Sequence, residues 1–286
     1  MNGKHIKQHL NKKMIDWLAS IDNEEVKKAI KGNVIITGGA LVSLLTGDDV
    51  KYYDVYFKTK EALITVAKYY VEKWNKENEK KASVTEDKDG RVRIFISSEG
   101  VAGEDVDLEE CEEFAESTEK KPKEKNKEKY RPKFLTSNAI TLTDKIQVVV
   151  RFYGDVEELH KNYDYVHCTC SWSCGDNELI LPSRALEAII NKELFYMGSK
   201  YPLCSIFRAR KYINRGYTIN AGQYLKMVMQ LNEMNLKDVE VLKDQLMGVD
   251  STYMSMMIEA IAKQKEKDEN FEIDSGYVIE LVNRIF

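Results

Sequence analysis

Two glycines and an aspartate carry the most pointed chemistry in this chain. Gly38 and Gly39 interrupt a β-branched run, Val34-Ile35-Ile36-Thr37, and an apolar helix-like stretch from Ala40 to Thr46 then runs to Gly47. Tyr52-Tyr53-Asp54-Val55-Tyr56-Phe57 follows as a second strand and brings Asp54 with it. Glycines at a strand–helix junction let backbone amides approach an anion closely, and a carboxylate on the neighbouring strand can hold a divalent cation. The layout therefore predicts a phosphate-and-metal site.

Other groups invite chemistry and are weighed against plainer roles. His5 and His9 stand at the i, i+4 spacing that chelates a metal from one helical face, but a polar face on a first helix explains them as well. His167-Cys168-x-Cys170-x3-Cys174 has the ligand types of a zinc site. A strand over Tyr163 to Cys170 would turn Cys168 and Cys170 to one face and His167 to the other, so a buried thiol pair is the expectation. Phe207-Arg208-Ala209-Arg210-Lys211-Tyr212 with Arg215 and Tyr217 interleaves cations with aromatics, a pattern that grips phosphates and stacks bases, or else a solvated helix face. The methionines from Met227 onward read as core filler.

The elements that position these residues follow from periodicity. Residues 4 to 31 predict two helices, the second capped by Asp22 or Asn23 and ended at Gly32. Thr59 to Lys76 is an amphipathic helix, and Ala82–Thr85 with Arg91–Ser97 is a hairpin around Asp87-Lys88-Asp89-Gly90. Residues 99–132 form a charged loop, acidic from Glu104 to Glu119 and basic from Lys120 to Lys133; the basic half can hold nucleic-acid phosphates, in competition with the acidic half. Strands resume at Ser137–Leu142 and at Lys145–Phe152, the latter expected to be buried on both faces. A short helix at Val156–His160, the Tyr163–Cys170 strand and a hairpin across Gly175-Asp176-Asn177 complete the sheet. Pro182 then opens a helical half, with helices over Arg184–Asn191, Leu203–Arg215, Ala221–Leu231, Val239–Leu246, Thr252–Lys263 and Ser275–Ile285. The expected architecture is α+β, a mixed-sheet domain followed by an all-helical one: N-terminal helices 1–32, a sheet domain 33–181 and a helical domain 182–286.

Composition sets the limits on this reading. The chain has 286 residues and 43% hydrophobic ones, enough for a substantial core, and a net charge of −4 with no overall attraction to nucleic acid. No apolar run reaches the roughly 20 residues that cross a bilayer, so no membrane association and a cytoplasmic location are expected. Five cysteines, odd in number and unevenly spread, predict free thiols.

The glycine stretch resembles the N-terminal signature of tRNA CCA-adding enzymes and bacterial poly(A) polymerases, GG-x-V-R-D-x-L-L-G followed five residues on by D-x-D. Gly38, Gly39 and Gly47 keep its spacing, and Asp54 takes the place of the second aspartate. Tyr52 stands where the first belongs, and Ser43 replaces the aspartate inside the signature; Asp48 and Asp49 are the nearest substitute carboxylates. The third carboxylate belongs on the strand holding Gln147, which is not an acid, so Asp164 is the remaining candidate. The chain thus resembles a DNA polymerase β-type nucleotidyltransferase. From Val34 to about Leu246 it is also similar to the nucleotidyltransferases predicted in phages and large DNA viruses.

The resemblance implies Mg²⁺ held by Asp54 and Asp164 as the catalytic pair, with an NTP cradled by Gly38, Gly39 and Ser43. It further implies triphosphate contacts from Lys192, Ser199, Lys200, Arg208, Arg210 and Lys211. The implied reaction moves a nucleoside monophosphate from the NTP to a hydroxyl acceptor, with RNA, tRNA in particular, expected first. Tyr52 and Gln147 support the alternative, an inactive member of the fold that binds nucleotide, RNA or a protein partner as a phage structural or anti-defence factor.

Overall fold

A computed structural model describes residues 1–79, 81–87, 90–97 and 129–238, with single positions at 241, 242, 245, 276, 277 and 280. Most of the charged loop and the helix expected over 252–263 lie outside the described residues, as does Cys111. The helices expected over 239–246 and 275–285 lie largely outside them. The described residues up to Met197 form one compact unit and those from Gly198 onward a second.

The first unit begins with α1 (Gly3–Ala19) and α2 (Glu24–Ile30). Ile6, Leu10, Met14 and Trp17 make the buried stripe of α1, the i, i+4, i+8 pattern of a helix packed on one side. Asn23 is the cap of α2, accepting from the Glu25 and Val26 amides, and left-handed Gly32 follows. β1 (Val34–Thr37), α3 (Gly39–Thr46), β2 (Tyr53–Phe57) and α4 (Lys60–Glu77) come next. α3 stops at left-handed Gly47, whose amide bonds the Ser43 carbonyl, a conformation that favours glycine at a helix end. Thr59 caps α4 by accepting from the Ala62 amide, and Leu63, Val66, Ala67, Tyr70 and Val71 face the core.

β3 (Lys81–Glu86) and β4 (Val92–Ser97) pair as the predicted hairpin but form a two-stranded sheet of their own. β5 (Pro132–Leu135), β6 (Ala139–Leu142), β7 (Ile146–Tyr153), α5 (Val156–His160), β8 (Ser171–Ser173), β9 (Glu178–Ile180) and α6 (Ser183–Asn191) complete the unit. The main sheet has seven strands in the order β5-β6-β7-β2-β1-β8-β9. β2 and β7 run parallel and the other neighbours antiparallel, so the sheet is mixed and the protein α+β. β1 is an interior strand and wholly buried.

Two expectations change. Tyr163–Cys170 is not a strand: Tyr165 makes a single bridge to Tyr196, and Val166–Cys168 is a 3₁₀ turn. The Thr169 amide and hydroxyl both bond the Val166 carbonyl, at 3.0 and 2.7 Å, and this curls the backbone before β8 begins at Ser171. β7 is not buried throughout; Ile146, Val148 and Val150 point inward while Gln147 and Val149 keep partial exposure. α6 packs on the Val166–Cys168 turn and belongs to the first unit, which runs to Met197.

The second unit contains α7 (Pro202–Ile213) and α8 (Ala221–Asn232), which match the expected helices. Gln230 clamps the segment before α7 from its side chain, donating to the Ser199 carbonyl at 2.6 Å and accepting from the Ser199 amide at 3.2 Å. Among the described residues no helix is long and apolar enough to cross a membrane.

α1 is fastened to the sheet unit by polar contacts within apolar surroundings. His9 Nε2 lies 2.6 Å from the Tyr53 hydroxyl, and Lys13 donates to the Asp144 carbonyl while sitting over the Tyr53 and Tyr130 rings. Burial holds the Lys13 ammonium below its usual value and pushes the Tyr130 phenol up to about 12. Deeper still, the indole of Trp17, fully buried, donates to the Tyr70 hydroxyl at 2.6 Å. Tyr70→Phe removes that acceptor and keeps the ring, leaving a desolvated indole N–H. The expected loss is about 1–3 kcal/mol, read from the urea-unfolding midpoint.

Candidate functional site

Strand register assembles the site. Ile36 pairs with Val55, and continuing that antiparallel register by one step puts Thr37 across from Asp54. Thr37 is itself paired with Ser171, Asp54 with Gln147, and Gln147 with Thr141. Directly paired residues share a face of the sheet. A polar row therefore crosses five strands, Ser171–Thr37–Asp54–Gln147–Thr141, and Asp54 is its one charged member. The row stops where Ser171 meets Ile180 and where Thr141 meets Phe134. Pleating sends Tyr53, Val55 and Phe57 into the core and leaves Asp54 and Tyr56 half-buried on the opposite face.

Gly38 closes this row at the end of β1. Its φ of 87° and ψ of −145° belong to glycine. A Cβ at Gly38 would lie 3.4 Å from the Tyr163 hydroxyl and 4.0 Å from Asp54 Oδ2, so the glycine admits a phenol against the turn. Gly39, by contrast, has nothing within 4 Å of the place its Cβ would take.

Tyr163 is held by a network on the Thr37 side. It hydrogen-bonds Thr37 and Tyr56; burial foremost, then the neighbouring Tyr56, drives its phenol well above the usual value. The Thr37 hydroxyl lies 2.9 Å from His160 Nε2 and donates to the Cys170 carbonyl at 2.8 Å. Burial lowers the His160 imidazole from its usual value. The turn that ends α5, with the Tyr163 amide on the His160 carbonyl, folds both side chains back to β1.

The residues singled out from the sequence divide between the two units. Gly38, Gly39 and Asp54 come together at the turn. Ser43 is half-buried farther along α3, its carbonyl accepting from the Gly47 and Asp48 amides. Tyr52 is half-buried just ahead of β2, and burial raises its phenol. Asp164 is buried, 7% exposed, with its carbonyl accepting from the Met197 amide at 2.8 Å. Its neighbour Tyr163 is the side chain that reaches Gly38.

Lys192 is exposed, in left-handed conformation at the end of α6. In the second unit Ser199 is buried and its hydroxyl accepts from the Tyr201 amide, while Lys200 is exposed with its ammonium 5.8 Å from the Tyr201 ring centroid. Arg210 and Lys211 are exposed in the last turn of α7 and Arg208 is half-buried. Tyr56, Thr37, Tyr163 and His160 escaped the sequence reading. Alternation from Asp54 to Tyr56 and the position of Thr37 beside Gly38 were visible signals; for His160 there was none.

The donors present do not make a two-cation centre. Asp54 has a carboxamide beside it in Gln147 and a phenol two residues earlier in Tyr52, and neutral phenols are poor ligands for Mg²⁺. Among the described residues no three His, Cys, Asp or Glu side chains gather to hold a metal. His167, Cys168, Cys170 and Cys174 form no such group, and His9 is engaged with Tyr53. Cys168, Cys170, Cys174 and Cys204 are free thiols.

Fold and site define an α+β protein whose mixed sheet carries a glycine turn beside Asp54 and the phenol of Tyr163. Residues 8–192 match the Gabija anti-defense 2 family protein model, and the chain belongs to that family. It is 21% identical over 253 residues to Gabija anti-defense 2 of Bacillus phage SPbetaL7, an alignment covering 87% of this chain and 49% of the relative. The chain thus spans about half the length of that curated relative.

Solved structures with some likeness include the Thermotoga maritima CCA-adding enzyme complexed with tRNA (10% identity, TM-score 0.41, 92% of this chain and 57% of that one). The Bacillus stearothermophilus CCA-adding enzyme in complex with CTP is another (11% identity, TM-score 0.36, 79% and 47%). Likeness at this level transfers no chemistry.

The two glycines separate by substitution. Gly38→Ala forces an L-residue into a glycine conformation against Tyr163, at an expected cost of about 1–3 kcal/mol. Gly39→Ala leaves the thermal midpoint unchanged or slightly raised, because its Cβ enters open space at a helix start. His160 sets a pH dependence. Its folded value is depressed, so the unfolded chain takes up the proton first, and stability is lost as pH falls from about 6.5 toward the folded value. The thermal midpoint should drop between pH 7 and 5.5, and His160→Asn should flatten that drop, leaving the part due to the similarly lowered His9.

Proposed function

We propose that this chain counteracts the Gabija defence, acting in the cytoplasm of a phage-infected host, and that its first unit is a nucleotidyltransferase-type scaffold used for binding rather than transfer. What supports this most is that the family match over residues 8–192 covers the elements that build the polar row, from α1 to the end of α6. The ligand is a nucleotide at the Gly38–Gly39 turn, recognised beside Asp54, and a protein of the defence system is the partner. Gln147 beside Asp54 and Tyr52 ahead of it favour binding, since a single carboxylate supplies too little charge to hold two cations during phosphoryl transfer.

Transfer of a nucleoside monophosphate to RNA, tRNA included, is the second reading, with Asp54 and Asp164 as the residues that would meet Mg²⁺. Gly38 lying against Asp54 favours it, because that juxtaposition keeps the spacing of the signature. Phosphate contacts from Ser43, Lys192, Ser199, Lys200, Arg208, Arg210 and Lys211 belong to both readings as proposals.

Phage plating on cells carrying the Gabija system, with and without this chain, tests the first reading. Expression should raise plating efficiency by about tenfold or more, and Asp54→Asn, folded by circular dichroism, should remove most of the gain. An undiminished effect from Asp54→Asn places the active surface elsewhere. Incorporation of labelled nucleotide into RNA with Mg²⁺, abolished by Asp54→Ala, would instead establish the second reading.

A further inference from the structure

Helix α8 turns its apolar side to water. Met227 is buried and Gln230 is tied to Ser199, so this edge of the helix faces its own unit. Tyr224, Leu225, Val228 and Met229 point away from it and are 45%, 59%, 57% and 63% exposed. With exposed Ala221 ahead of them they form two i, i+4 rows, Ala221-Leu225-Met229 and Tyr224-Val228, which lie side by side as one stripe. Exposed Asn232 ends the stripe, and helical spacing sets Lys226 and Glu233 off its edge. At these exposures the four side chains leave roughly 400 Å² of apolar surface in water, the size of the largest patch on an ordinary monomer.

Beside the stripe lies a groove of about 430 Å³, with Gly198 and Gly222 in its walls next to Leu225 and Met229. Neither glycine has a side chain to fill it. Projecting apolar groups and a hollow that can take them thus share one surface, within a helix length of about 18 Å. A surface of this kind is complementary to itself after a two-fold rotation. Nucleic acid finds no row of cations here. Lys226 is the single basic residue of α8, too little charge for a helix that lies on a membrane surface.

We propose that α8 is the contact face of a homodimer, two copies pairing antiparallel about a two-fold axis that crosses the helix between Leu225 and Val228. Each i, i+4 row then meets the same row of the other copy in reverse order. Tyr224 packs on the partner's Val228 and Leu225 on the partner's Met229, and every contact occurs twice. The unbranched Met229 side chain adapts to the groove, and opposed helix dipoles favour the antiparallel sense. Two stripes withdraw about 800 Å² from these side chains alone, and the groove walls bring the total to roughly the 1,000 Å² that a specific pair needs. The inference uses no residue of the Gly38 turn and stands apart from the nucleotide and defence readings.

Sedimentation velocity of the full chain over a micromolar concentration series tests the pairing. The mass should pass from one chain to two as concentration rises. Leu225→Lys and Met229→Glu should each weaken association by about tenfold or more, since each sets a charge against apolar surface. Mixing the two variants should restore a dimer, because positions 225 and 229 oppose each other across the axis. A mixture that stays monomeric, with both variants folded by circular dichroism, overturns the inference, as does a dimer indifferent to both substitutions. A native chain that remains single at every concentration overturns it too. In that case an earlier thermal midpoint for Leu225→Lys assigns the stripe to residues of this chain beyond Asp238, and an unchanged midpoint leaves it to a foreign protein.

Discussion

The register between β1, β2 and β7 is the constraint on which the site depends. Because β2 runs antiparallel to β1 and parallel to β7, one position on each strand falls in line with Asp54. A slip of a single residue would turn Asp54 into the core and Tyr53 or Val55 outward, so burial of the apolar face fixes the polar face too. Val34, Ile35 and Ile36 on β1 and Val55 and Phe57 on β2 are each fully buried, and any slip must expose some of them. The same apolar contacts that fold the sheet therefore hold Thr37, Asp54 and Gln147 in one row.

α1 reinforces that alignment from the other side of β2. Tyr53, next to Asp54 in sequence and opposite in direction, is gripped by His9 and lies beneath Lys13, whose ammonium also reaches the Asp144 carbonyl at the entrance to β7. One helix thereby fastens the starts of two parallel strands, where register is set. Such a cation between two rings is a partly desolvated contact, stronger than a surface ion pair. By comparison Lys27–Glu24 and Lys161–Glu158 are exposed i, i+3 pairs of little weight.

Much of this was readable from the residues alone. Helix limits at Asn23, Gly32, Thr59 and Gly47 follow from capping chemistry that acts within a few residues, and the two strands around Gly38 follow from β-branched runs. The α+β class came from the order of those elements. What local pattern did not carry was pairing across distance. Gln147 was recognised as a missing acid, but only the register places it against Asp54. Tyr163 to Cys170 has strand-like composition, yet Thr169 bonds back to Val166 and turns the chain, so the alternation argument about Cys168, Cys170 and His167 had no strand to act on. Asp164 drew notice as a carboxylate, while the neighbouring Tyr163, with no charge to attract attention, is the residue at the turn.

The geometry of the turn accounts for its two glycines separately. A glycine kept for close approach of a phosphate would need open space above it, and Gly39 has that space; Gly38 does not, because the Tyr163 hydroxyl fills it. Gly38 is required by its own φ and by the phenol packed on it, whatever ligand the protein takes. The folding of the turn is thus enough to call for a glycine at position 38. The information about chemistry lies in the neighbours of Asp54: a carboxamide on one side and, through Thr37, a chain of hydroxyls on the other.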